Sequence, residues 1–233
     1  MSDMYALFLA SRDMAGYPLF KDYCRLKDQG LRQASFQKLD AFLQKTREWE
    51  QAEKRVFVSR LFSLCETAEN SRELIVYPLE QRLLKPVLER WMEEKDCDAR
   101  PFKWHGLFLS SESRLEYLEA ALEKSGKKDQ QVLEALMDFY SHCVWYSFHH
   151  IAEDAYLGEI EEDRQMIQRL KALHKYITDE ERQNGWKKAI AGHEALLNDW
   201  TAFISSGQTE GFAEWCEEKG KAYSFTQAFY YDA

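Results

Sequence analysis

The chain is poor in the residues that make turns, with 10 glycines and 4 prolines among 233 residues. A β-sandwich or barrel needs turn chemistry at every hairpin, so this scarcity points away from β architecture and towards long helices with short connections. No apolar run approaches the roughly 20 residues that a membrane helix needs. The N-terminal stretch MSDMYALFLASRD has an apolar patch but no basic segment ahead of it, so neither a signal peptide nor a membrane span is expected. Basic excess is missing too: 31 Lys and Arg face 40 Asp and Glu, for a net charge of −9. Without basic clusters to displace counterions, nucleic acid is not an expected partner.

The 5 cysteines show no C-x-x-C spacing, which reads as reduced thiols in a cytoplasmic protein. Phosphate-loop, dinucleotide-binding and nucleophile-elbow glycine motifs do not occur. Neither H-E-x-x-H nor E-x-x-H is present, which removes the strong helical metal signals. No cofactor, no metal ligand set and no catalytic residue is therefore assigned from motifs.

What the chain does have is apolar material, 45% hydrophobic and 14% aromatic, enough to bury a substantial core. It is organised around the stretch 129–153, DQQVLEALMDFYSHCVWYSFHHIAE. Val132, Leu136, Phe139, Cys143, Tyr146 and His150 recur at helical spacing. Leu133, Met137, Tyr140, Val144, Ser147 and Ile151 form a second stripe beside them. Two adjacent apolar stripes predict a central helix with neighbours on at least two sides.

Further helices are expected over 17–29, 31–49 and 51–68, with short connections that favour antiparallel neighbours. Pro78 opens another, which Pro86 must kink or divide. Capping boxes are predicted at Ser113–Glu116 and Thr178–Glu181, and Asn184-Gly185 is expected to break the first turns of the helix that the second one opens. The polar connection KDCDAR, 95–100, is the candidate boundary within a single helical domain spanning 1–233, or between two closely packed halves, 1–95 and 101–233. The aromatic tail AYSFTQAFYYDA is expected to lie across an apolar groove.

Trp104-x-Gly106-Leu107, followed by Ala121-Leu122 ahead of a glycine turn, resembles a tetratricopeptide repeat over about 101–126, with Gly126 where that family usually has proline. A fainter echo links Tyr23-x-x-Leu26-x-x-x-Gly30 with Trp200-x-x-Phe203-x-x-x-Gly207. The resemblance implies an all-α fold of antiparallel helical hairpins, packed as an irregular TPR-like solenoid or a multi-helix bundle.

The polar ridge of the central helix carries the candidate binding residues Asp138, His142, Trp145, His149 and Glu153. Asp138–His142 and His149–Glu153 are each four apart, close enough for a carboxylate to orient an imidazole. His142 and His149 are seven apart, about 10 Å along a helix, too far to share one ion. Helix-surface ion pairs are the plainer reading. His150 and His193 fall on core stripes, and His105 and His174 at helix ends. The acidic run from Glu153 to Asp163 reads as a solvated helix start favoured by the dipole. An indole projecting from a polar ridge marks a contact surface, so Trp145 leads the candidates. The expected role is non-enzymatic: a scaffold with an acidic surface that binds another protein or a basic peptide. A homodimer through an apolar face is the other interaction weighed. The alternative is a metal-dependent helical-bundle enzyme or metal binder using the His142/His149 ridge.

Overall fold

The computed structural model describes residues 3–68, 70–207 and 210–223. Among the described residues every regular element is a helix, and no strand is present. None of these helices is long and apolar enough to cross a membrane. The chain divides into two compact units, Met1–Ser125 and Gly126–Ala233, so the polar connection 95–100 lies inside the first.

In the first unit, α1 (Asp3–Ala10) precedes a hairpin of α2 (Pro18–Asp28) and α3 (Arg32–Lys45). Gly30 turns that corner at φ +73, a conformation open to glycine at little cost. A 3-10 turn, Thr46–Glu48, leads to α4 (Gln51–Cys65). The Glu53 carboxylate accepts from the Glu50 backbone N–H at 2.8 Å, half of a capping box that the Ser/Thr pattern did not single out. Phe20, Phe42 and Phe57, from α2, α3 and α4, meet at centroid distances of 5.2, 5.1 and 4.9 Å. Each such ring pair adds about 0.5–1.5 kcal/mol beyond its area burial.

Pro86 falls where one short helix has given way to the next, the second of the two outcomes expected of it. After α5 (Tyr77–Leu79) the chain passes through a π turn, Glu80–Leu84, into α6 (Lys85–Met92). Pro86 occupies the first turn of α6, where its missing N–H costs least, and the π turn ahead of it is the kind of widening that relieves a proline ring's clash with the carbonyl four residues back. The unit closes with the hairpin of α7 (Arg100–Phe108) and α8 (Arg114–Lys124). Here a Cβ on Gly106 would lie 2.7 Å from Leu118 Cγ, so the missing side chain sets how closely the two helices approach. Ser113 makes no side-chain cap to α8, so the capping box expected there is absent. Arg114 instead donates to the Gly106 carbonyl at 3.0 Å, holding the end of α7.

The second unit holds α9 (Gln130–Phe148), a 3-10 turn (Ile151–Glu153), α10 (Ile160–His174), α11 (Glu180–Ser206) and α12 (Phe212–Glu218). Asp129 caps α9 through the Val132 N–H at 3.2 Å, and Asp179, one residue beyond the expected Thr178, caps α11 through the Arg182 N–H at 2.8 Å. Helix α11 runs unbroken through Asn184-Gly185.

The two stripes of α9 fare differently. Leu133, Met137, Tyr140, Val144, Ser147 and Ile151 are all buried. The other begins buried at Val132 and Leu136, then emerges until Tyr146 is 54% exposed and His150 only half-buried. A strict seven-residue repeat drifts by about 20° per heptad around a straight helix, so only one of two neighbouring stripes can stay on the core over this length. Tyr146 and His150 are thus surface residues rather than core.

Candidate functional site

The outer face of α9 is built from that drift. Helix α9 stops at Phe148, before the ridge inferred from sequence is complete. Glu153 sits in the following 3-10 turn, where its carboxylate meets His150 Nδ1 at 3.1 Å, so the expected i,i+4 pairing with His149 is replaced. His149 Nδ1 instead hydrogen-bonds the Tyr146 carbonyl at 2.6 Å, and its ring lies within a cluster of aromatic side chains. Asp138 and His142 remain on the exposed face of α9.

Trp145 is 52% exposed, between the imidazole of His142 on α9 and that of His149 just past the helix end. The His142 ring stacks on it at 5.2 Å and 23°, and the His149 ring at 5.4 Å and 24°. Tyr146 lies 4.9 Å from His149, and His150 follows at 4.1 Å. The structure therefore brings His142, Trp145 and His149 together as a stack, with Tyr146 and His150 added to it.

Beside the stack runs a groove of about 390 Å³ between α9 and α11. Trp145, Phe148 and His149 form one wall, and Gly192, His193 and Leu196 the other. A Cβ on Gly192 would meet nothing within 4 Å, so that glycine leaves space in the groove. His193 had no expected function. Its Nε2 lies 2.8 Å from Ser141 Oγ, and burial pushes its pKa down, opposed by the nearby Asp163 charge.

A serine–histidine pair suggests nucleophilic chemistry, but the backbone argues otherwise. Ser141 is in mid-α9, where neighbouring N–H groups serve the helix ladder and are not free to form an oxyanion hole. The thiols are no better nucleophiles. Burial pushes Cys24 and Cys65 up to about 12 and Cys216 to about 11, and raises Cys97 and Cys143 as well. Among the described residues no group of three or more His, Cys, Asp or Glu side chains is placed to hold a metal ion.

The acidic run after α9 is only partly the solvated surface it was expected to be. Asp163 is 2% exposed and accepts the Tyr156 hydroxyl. Asp154, at φ 57, accepts the Phe212 N–H at 2.6 Å and so anchors α12. Both carboxylates are built into the fold, Asp154 by a partner 58 positions away and Asp163 by one seven positions before it. The aromatic tail beyond residue 223 lies outside the described residues, while Tyr223 donates to Asp199 at the edge of the groove.

No family model, curated protein or solved structure matches this chain.

Proposed function

We propose that the protein is a non-enzymatic scaffold that binds another protein through the outer face of α9. The observation that carries this reading is Trp145, an indole held in a fixed orientation by two imidazoles and still half in water. Large aromatic side chains contribute most to interfaces when an apolar body is presented without an ordering cost. Tyr146 and the adjoining groove extend the apolar surface, so a helix or short segment with one or two apolar anchors is the occupant that suits it. The net charge of −9 favours a basic partner by steering.

The scaffold reading extends to architecture. The α7–α8 hairpin coincides with the tetratricopeptide-like stretch, with Trp104 and Ala121 buried and Gly106 at the close approach. On this reading the hairpins act as irregular TPR-like units of a cytoplasmic interaction protein, a use to which exposed faces of stacked helices lend themselves.

Affinity capture with the wild-type chain and with Trp145→Ala tests the reading, with thermal melts confirming that both are folded. Loss of a partner from the variant alone supports it. Equal capture by the two proteins contradicts it. An indole anchor at an interface contributes about 2 kcal/mol or more, roughly a 30-fold change in affinity.

A further inference from the structure

On the α10–α11 hairpin a second cavity, of about 530 Å³, shares no residue with the aromatic groove. Its lining contains Lys171, Lys175 and Lys187, the His174 ring and the Asn184 amide, with Ile190 as a buried apolar element, and no Asp or Glu. That composition runs against the chain's overall charge of −9.

Part of it has a purely structural explanation. Lys171, His174 and Lys175 belong to the end of α10, where cations offset the negative pole of the helix. Lys171 is also paired with Glu194 at 2.5 Å, and His174 Nε2 lies 2.8 Å from the Gln183 carbonyl. Lys187 has no such explanation. It sits two turns into α11, on the same face as Asn184, and is exposed. Among the described residues neither Lys175 nor Lys187 has an acidic partner within ion-pair distance. Lys175, whose ammonium lies 5.4 Å from the Tyr176 ring centroid, and Lys187 therefore bring two ammonium groups without a carboxylate partner to one concave space, beside Asn184 and an aliphatic side chain. A cleft lined by one sign of charge concentrates the opposite sign in it, even on a molecule whose net charge repels that ligand. The volume falls within the usual range for small-molecule sites.

We propose that this cavity binds a small organic phosphate. Its phosphate would be held between Lys175 and Lys187 and its apolar portion would rest against Ile190. The proposal is independent of the α9 docking reading and survives that reading's failure.

Isothermal titration of the full chain with adenosine monophosphate, at low salt, is the test. Lys187→Glu reverses a charge inside the cavity. Lys188→Glu makes the same reversal next to it on α11, outside the lining. Saturable binding that weakens about tenfold or more in Lys187→Glu, and less than twofold in Lys188→Glu, is expected from a direct charge-assisted contact. No saturable heat at millimolar ligand overturns the proposal, and so does equal weakening by both variants, which would reflect net charge alone. Inorganic phosphate binding as tightly as the nucleotide overturns the organic part of the assignment. Circular dichroism of both variants confirms that the helices are retained.

Discussion

Trp145 on α9 and His149, the residue that caps its C-terminal end, stack with ring centroids 5.4 Å apart and planes 24° from parallel, while Trp145 stays half exposed to water. Stacking fixes the rotamer of a side chain that would otherwise lose conformational freedom on binding. A surface arranged this way is pre-organised for contact, because less ordering remains to oppose association.

The first prediction concerns that pre-organisation. His149→Ala leaves Trp145 in place but removes one supporting ring, so the affinity for a captured partner should fall by less than in Trp145→Ala. A loss of about 1 kcal/mol, roughly fivefold, is the scale of one aromatic pair. Binding measured side by side for the two variants checks this, and an undiminished affinity in His149→Ala would remove the stack from the account.

Glycines separate packing from propensity. A Cβ at Gly106 would strike Leu118, whereas one at Gly185 would meet nothing within 4 Å. Gly106→Ala should therefore destabilise by about 1–3 kcal/mol through overpacking between α7 and α8. Gly185→Ala, in the interior of α11, should stabilise by about 0.5–1 kcal/mol. Denaturant melts of the two variants should move in opposite directions.

Stability should fall with acidification through His105. The ring is fully buried against Tyr117 at 3.9 Å, and neither of its nitrogens has a hydrogen-bond partner. Burial, reinforced by Lys85, pushes its pKa down to about 4. The unfolded chain takes up that proton near pH 6.5, so between about 6.5 and 4 it binds more protons than the folded one. The stabilisation is complete above 6.5 and is lost as pH falls, by about 3 kcal/mol on reaching pH 4. Urea titrations at pH 7.5 and 4.5 should show this slope in the wild type and a shallower one in His105→Phe. Identical slopes would assign the acid sensitivity elsewhere.

Asp154 should matter more than an exposed acidic residue does. Its left-handed backbone and its bond to the Phe212 N–H both favour Asp or Asn at that position. Asp154→Ala should cost about 1–2 kcal/mol and Asp154→Asn clearly less, as read from melting temperatures.

Legibility in the sequence followed the range of the cause. The buried stripe from Leu133 to Ile151 is local, and helical spacing was enough to find it. The capping Asp129 was not singled out, and Asp179 stands one residue past the expected Thr178, because a capping box is read from a leading Ser or Thr. Tyr146 and His150 were misplaced because their stripe matches the seven-residue repeat as well as its neighbour does, and only rotational drift decides which meets water. The π turn before Pro86 was invisible because proline signals an obstruction without saying how the backbone relieves it. Asp154 and His193 take partners 58 and 52 positions away, beyond the reach of any helical pattern, and Asp163 is met by Tyr156 from the loop ahead of α10, where helical spacing does not apply. Of the candidate ridge, His142, Trp145 and His149 came together. Glu153 turned to His150 because α9 ends at Phe148.

The most direct test of the α9 surface places a photo-crosslinking phenylalanine at position 145, and at position 204 as an equally exposed control on α11. Irradiation in the cells that make the protein should give one dominant adduct from position 145 and none of that mass from position 204. If position 145 gives no adduct, or both positions give the same ones, α9 is an ordinary solvated surface and the docking account fails.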